Sequence, residues 1–498
     1  MQNKWERFLL SKKQVLKLEI FSMFVKENHI TLLMVEEKFN ITKRVAKSLL
    51  KELSEEINDV EGNETFQLIH RDHNYYIGPI FDSIIYSNTY YTIRTNYYQN
   101  SSLFLVMMYI LEKRKSSVAE ISNELVYSQS YSYKLVDSIN EFLEDMEVQV
   151  TIQKNDNGIE LVGVETEIRL MHYYCCIFGY STFEWPFQSF TQSKIEVLQN
   201  FTNYMRDRVF SKNSKIKRSI IDSIYMMAIE KGKKTERFDD ASLEIFSLLK
   251  DGIQLKSLIN YMKNNTSLNE NDIEYELCNL LFLVNHILPE YLTMEEKIIL
   301  GAKFSELKNN KVVDLALKAL DVLPEFSFVS LESKNYFIFE LVVRAITFKY
   351  FSMWKFSLEF SMKEFPLEIQ RESFNQLSEI YSEYLESDSL NYYVRRIVEI
   401  SSPFVLFKYG SSIKVYTEFT YKPHFKLILE STILFSYKEN AIEIVHDIND
   451  ADVVISDSYP NVEGIEYFYF SDIYVKQNWE ELNSFLQKKM LQRGFKSV

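Results

Sequence analysis

Residues 35–53 read VEEKFNITKRVAKSLLKEL, and residues 121–139 read ISNELVYSQSYSYKLVDSI. The second stretch repeats the apolar pattern of the first at a constant offset (121 − 35 = 86 and 139 − 53 = 86). Val35, Phe39, Ile41, Thr42, Leu49 and Leu53 reappear as Ile121, Leu125, Tyr127, Ser128, Leu135 and Ile139. Val45 and Ala46 fall on Tyr131 and Ser132 in the same register. Each copy reads as a short amphipathic helix, a tight turn with an apolar plug, and a longer helix. That is the pattern of a helix-turn-helix, whose second helix enters the major groove of DNA.

In the first copy Thr42 is placed to cap the longer helix through its hydroxyl. Val45, Leu49 and Leu53 recur at helical spacing and are expected in the core. The opposite face carries Lys43, Arg44, Lys47, Ser48 and Lys51, with no acid before Glu52. A basic face at the start of a recognition helix suits phosphates and guanine edges. A solvated Lys/Arg face is the plain alternative. In the second copy Ser117-Val118-Ala119-Glu120 is a capping box, and Ser128 caps the next helix. The equivalent face is Gln129, Ser130, Tyr133 and Lys134, polar and aromatic rather than basic. Such residues can bond base edges or phosphates, with a weaker long-range pull.

Both copies are followed by a hairpin signal. Val148, Val150 and Ile152 alternate, Asn155-Asp156-Asn157-Gly158 turns, and Ile159 to Val162 returns. Asn-Gly is a strong hairpin dipeptide. After the first copy, Thr65–Ile69 and Tyr75–Ile77 flank Arg71-Asp72-His73-Asn74. Each copy therefore reads as a winged helix-turn-helix. The duplication carries more weight than one such motif, because helical hairpins in all-α proteins imitate it.

The length of 498 residues implies several domains. Eleven Gly and 8 Pro are few against the roughly 35 and 25 of average usage, which favours long helices and short turns. Phe and Tyr supply most of the aromatics, which suits helix–helix interfaces. The net charge of −14 is unevenly spread. The helix from Lys43 is basic, while residues 440–472 are acidic, and a basic head on an acidic body can bind DNA without loose association elsewhere. Cys175, Cys176 and Cys278 show no metal spacing, so reduced, buried thiols in a cytoplasmic protein are expected. Residues 1–7 lack a signal-peptide pattern, and no 18-residue apolar run predicts a membrane span.

Along the chain, Lys12 to Lys26 and Ser101 to Glu112 are predicted as helices supporting the two copies, with Tyr90 to Asn100 joining them. From Glu165 to about Glu399 helical periods dominate. They cover 168–178, 194–209, 215–231, 241–249, 255–263 and 273–287, then 294–307, 312–320, 331–349, 367–385 and 391–400. Polar links at 211–214 and 264–267 punctuate the first set, and Leu288-Pro289-Glu290 divides the two. Near Pro403 the pattern changes. Strands are predicted at 413–419, 441–446, 451–456 and 465–470, with helices at 425–435 and 479–490, a small α/β domain with a largely parallel sheet.

Two N-terminal helix-turn-helix units, a hairpin, and then Gly163-Val164-Glu165-Thr166-Glu167-Ile168-Arg169 resemble the Mga/AtxA group of bacterial virulence regulators. The Gly-x-Glu-x-x-Ile-Arg stretch looks like the entry to their first phosphotransferase regulation domain (PRD). Residues 276–284, from Glu276 to Val284, also look like the family. The resemblance runs through the whole chain in domain order. It implies a transcription regulator that binds promoter DNA as a homodimer. It also implies two PRDs whose histidines are phosphorylated by phosphotransferase-system proteins, and a C-terminal domain similar to the EIIB component.

The chain departs from that pattern. No His lies between His286 and His424. Asp222-Ser223-Ile224-Tyr225 stands where a phosphorylatable His is expected. The C-terminal region lacks the Cys of a true EIIB, and the loop from Thr417 to His424 has no Gly to cradle phosphate. His172 and His286 remain as candidate acceptors, each among apolar neighbours that equally suit a core histidine.

The expected fold class is multidomain and mainly α. Its segments are two N-terminal winged helix-turn-helix domains (1–84 and 85–163), two PRD-like helical bundles (164–288 and 289–400) and an EIIB-like α/β domain (401–498). The expected function is a DNA-binding transcription regulator with no cofactor. A PRD-containing RNA-binding antiterminator is the alternative, disfavoured because residues 12–51 read as helix where those proteins carry a β-rich module. No P-loop, nucleophile elbow or metal cluster speaks for an enzyme.

Overall fold

The repeated stretch folds twice into the same small structure. The computed structural model describes residues 4–496, except 25–26, 28, 61–65, 79–82, 157, 181–184, 188–211, 252–255, 324–329, 357–367, 410–411, 420–423, 438–440 and 458–464. After α1 (Lys4–Leu9), the first copy comprises α2 (Lys12–Met23), β1 (Ile30–Thr31), α3 (Leu32–Phe39), α4 (Lys43–Asn58), β2 (Gln67–Arg71) and β3 (Asn74–Gly78). Helix α5 (Ser83–Gln99) follows. The second copy comprises α6 (Ser102–Lys113), β4 (Lys115–Ser116), α7 (Val118–Glu124), α8 (Gln129–Asp145), β5 (Val150–Asn155) and β6 (Gly158–Gly163), and α9 (Glu165–Gly179) continues from it. Helices α3 and α7 begin 86 residues apart (118 − 32 = 86), as do α4 and α8 (129 − 43 = 86).

Each hairpin gains a third strand from the residues just before the helix-turn-helix, in the orders β1-β3-β2 and β4-β6-β5, all antiparallel. Two-residue strands are too short to leave a period in sequence. The buried register is common to both copies. Val35, Ala46, Leu49, Leu50, Leu53 and Ile57 are buried in the first, and Ile121, Ser132, Leu135, Val136, Ile139 and Leu143 in the second.

Several local expectations are corrected. Val45 is 43% exposed and Tyr131 42% exposed; Ala46 and Leu50, one position on, take the inward places. Thr42 has the extended conformation of an N-cap, but its hydroxyl caps nothing. Residues 90–99 are no linker. They belong to α5, whose Tyr, Thr and Asn content is poor for an isolated helix and is overridden by packing. Tyr86 lies 4.8 Å from Phe21, and Tyr98 lies 5.5 Å from Phe104. Arg94 bonds Glu6 at 2.9 Å and lies over the Tyr98 ring.

The middle of the chain is helical, with helices at Lys212–Glu230, Asp240–Asp251, Lys256–Asn265, Glu270–Ile287, Met294–Ser305, Lys311–Val322, Leu331–Tyr350, Met353–Phe356, Glu368–Tyr381 and Ser387–Tyr409. The expected helix at 194–209 lies outside the described residues. Residues 212–214 start a helix rather than form a link, and Ser387–Tyr409 runs through Pro403. The chain divides into two compact regions, Met1–Val312 with Val342–Met362, and Val313–Leu341 with Lys363–Val498.

In the second region strands β7 (Ile413–Glu418), β8 (Ile442–Ile444), β9 (Val453–Ser456) and β10 (Glu466–Tyr469) form a parallel sheet in the order β10-β9-β7-β8. Helices His424–Ser436 and Lys476–Lys496 share one core with Ile413, Val415, Val453, Ile455 and Phe470. Phe468 packs on that core, while Tyr469, on the other face of an edge strand, is 59% exposed. The expected parallel sheet near the C-terminus is thus present, and these two helices cover one side of β10.

Candidate nucleic-acid interface

Burial of Ala46, Leu49, Leu50, Leu53 and Ile57 turns the rest of α4 outward. Lys43, Arg44, Val45, Lys47, Ser48 and Lys51 are all exposed. Ser48 donates to Glu52 at 3.2 Å, and Lys51 lies 3.6 Å from Glu55. Lys43, Arg44 and Lys47 have no acid partner among the described residues. The first turn of α4 holds no acid, so its cations sit at the positive end of the helix dipole, where they destabilise it. The wing turns through Asp72 and His73 with φ of 50° and 65°, a two-residue hairpin that matches strand twist. Arg71 beside it is exposed.

The second copy is built differently. Ser117 and Glu120 form a complete capping box on α7. The Glu120 carboxyl is held below its usual range by bonds from Ser116 and from the Ser117 amide. Ser128 accepts from the Tyr131 amide at 3.3 Å and so caps α8. The buried Ser132 hydroxyl is satisfied 2.9 Å from Ser122. Gln129, Ser130, Tyr133 and Lys134 are exposed. The wing is fastened to the helix: Asn140 accepts from the Ile152 amide (2.7 Å) and donates to its carbonyl (2.9 Å). Lys154 lies 5.4 Å above the Tyr133 ring and pairs with Asp137. Gly158, at φ 125°, packs so closely on β4 that a Cβ would meet the Ser116 carbonyl at 2.3 Å.

The second copy is also anchored by buried charge. Arg114, which closes α6 at φ 68°, donates to Glu165 at 3.0 Å. Arg169 donates to Glu165 at 2.9 Å and to Glu276 at 2.5 Å. Glu276 also accepts from the Thr235 amide. Burial lowers the Arg114 guanidinium to about 10 against the pull of Glu165. For Arg169 burial pulls the same way, but Glu276 and Glu165 outweigh it and raise the group. From the wing, Glu160 meets Lys233 at 3.0 Å, and the Gln149 amide donates to Glu167, which pairs with Lys355 at 2.9 Å. Apart from Arg169–Glu165, spaced i,i+4 on α9, these ion pairs join residues far apart in sequence and leave no periodic signal.

His172, on α9 with Glu165 and Arg169, is 1% exposed. Burial, with the charges of Arg114 and Lys231, holds it well below its ordinary range. In this conformation it is a core histidine closed to a phosphoryl donor, edge-on to Phe187 at 5.4 Å. His286 is half-buried in the last turn of its helix, edge-on to Phe348 at 5.5 Å. Asp222 is committed to a buried ion pair with Arg218 at 2.9 Å. The three thiols are free and buried, and burial raises each of them.

Residues 88–176, from within α5 to within α9, match the family described as the Mga helix-turn-helix domain. This segment is similar to an Mga helix-turn-helix domain. The match supports membership in the Mga/AtxA family that the domain order resembles. No curated protein matches the chain. The Mga domain spans the whole second copy, with the capped α8 and the fastened wing inside it. The match points to a DNA-binding transcription regulator. Among the described residues no helix is long and apolar enough to cross a membrane.

Proposed function

We propose that the chain binds duplex promoter DNA through both copies, with Lys43, Arg44, Lys47, Ser48 and Lys51 on the first and Gln129, Ser130, Tyr133 and Lys134 on the second. The observation that carries this is the shared register. The same positions are buried in both copies, so all nine side chains stand on exposed, equivalent faces. The first face supplies phosphate and guanine contacts, and the second reads base edges. The protein acts in the cytoplasm as a homodimer, since two half-sites give the affinity that one small module lacks. Residues 401–498, the EIIB-like segment, supply the dimer contact. The PRD-like segments 164–288 and 289–400 regulate the chain, with His286 the accessible candidate for the phosphotransferase system.

A gel shift of the full chain with fragments of duplex DNA against hairpin RNA tests the reading. Retarded DNA at protein concentrations that leave RNA unshifted is expected; the reverse order would make the chain an antiterminator. Sedimentation of the chain truncated after Ser401 should show monomer at low micromolar concentration. A fully dimeric truncation would move the contact into the helical segments.

A further inference from the structure

The turn of the second helix-turn-helix holds Val126 at φ 58° with its side chain 88% exposed. A β-branched residue is sterically disfavoured in the left-handed region. The equivalent residue of the first copy (126 − 86 = 40) is Asn40, at φ 50°, a type that tolerates this conformation. The turn therefore needs the backbone angle but not a valine. What valine adds is a branched apolar surface facing solvent, retained against strain. Such strain persists where the residue has a task.

Val126 does not stand alone. The rings of Tyr127 and Tyr131 meet edge to face at 5.4 Å, and Tyr131 is 42% exposed. This apolar edge leads into α8, where Gln129 and Tyr133 are exposed. In a duplex the apolar group presented in the major groove is the C5-methyl of thymine, and the partner of thymine is the base that Gln bonds through N6 and N7. The edge and Gln129 together complement an A·T pair. The first copy offers cations at the matching helical positions instead.

We propose that the second copy is a thymine reader: Val126, with the exposed Tyr131 five residues on, packs against thymine C5-methyl groups while Gln129 bonds adenine. This rests on the reading that both copies bind duplex DNA. The test uses the full chain. Duplexes enriched by it from a random-sequence library are resynthesised with deoxyuridine for thymidine, which removes the methyl alone. The wild-type chain should bind the uracil duplex about fourfold more weakly per methyl contacted. Val126→Gly, which relieves the backbone strain, should melt no lower than wild type and discriminate the two duplexes less than wild type does. Val126→Asn, copying the first repeat, should do the same. Equal binding of both duplexes by wild type, or an unchanged thymine preference in Val126→Gly, overturns the proposal. Enrichment of no duplex would instead overturn the DNA reading itself, and the thymine reader with it.

Discussion

The two helix-turn-helix copies share a core register and differ in how their recognition helices begin. Helix α4 starts with an idle Thr42 hydroxyl and places Lys43, Arg44 and Lys47 at its positive end. Helix α8 starts with a bonded Ser128 cap and neutral residues, and its wing is tied down through Asn140 and Lys154. The first copy gives up local stability for positive charge. The second is locally well made, although Arg114, Val126 and Glu147 hold positive φ, and of these Val126 in its turn is the β-branched one. A local rule broken without a structural gain is the expected mark of a functional position. Under the proposed function, that difference would have the first copy grip the backbone and the second discriminate bases.

The largest expected effect lies in the buried ion pairs of the second copy. Glu165→Ala leaves Arg114 and Arg169 buried with a partner removed, a loss of about 3–5 kcal/mol for a broken buried pair. Hydrogen exchange should show lost protection in α6 to α9, with α2 to α4 keeping theirs. Uniform loss across both copies would mean that they fold as one.

The wings should separate next. Gly158→Ala forces a Cβ into backbone at positive φ and should cost about 2–4 kcal/mol, a large loss tied to backbone strain. Gly78→Ala in the first wing meets only the flexible end of Ile69 and should cost about 0.5 kcal/mol or less. Thermal melts of the two variants measure the difference, and equal shifts would remove the claimed asymmetry.

A pH dependence should come from His172. Its folded value is depressed by burial, while the unfolded chain protonates it near about 6.5. Its contribution is complete above that pH and is lost as pH falls towards the folded value, because only the unfolded chain takes up the proton. Denaturant midpoints between pH 7 and 5 should therefore fall less steeply in His172→Gln than in wild type. Parallel slopes would show that the ring is not held neutral.

The smallest effect carries opposite signs. Lys43→Glu puts an acid at the positive end of α4 and should raise stability by about 0.3–1 kcal/mol, while weakening duplex binding. A variant that gains neither stability nor loses affinity would remove Lys43 from the interface.

Much of this was legible because the fold is written twice. Two apolar patterns at one offset fix two helix-turn-helix copies, and alternation plus turn chemistry fixes both hairpins. The nine outward residues followed from helical geometry. The misreading of Val45 came from choosing the i, i+4 series that starts one residue early, since Val45, Leu49 and Leu53 fit the period as well as Ala46, Leu50 and Leu53 do. Helix α5 was hidden because tertiary packing, not propensity, holds its tyrosines. Strands β1 and β4 are too short for any period. The Arg114–Glu165–Arg169–Glu276 network depends on side chains up to 107 residues apart (276 − 169 = 107). Neither the αL turn at Val126 nor its exposure can be read from composition.

The division of labour between the copies is tested most directly by the salt dependence of duplex binding. The slope of log affinity against log salt is measured for the full chain, for Arg44→Ala/Lys47→Ala, and for Tyr133→Ala. Each phosphate contact contributes a slope of about −0.9. The double variant should bind more weakly with a slope shallower by about two contacts, or roughly 1.8. Tyr133→Ala should bind more weakly with the wild-type slope. An unchanged slope in the double variant would contradict the assignment of the backbone grip to the first copy.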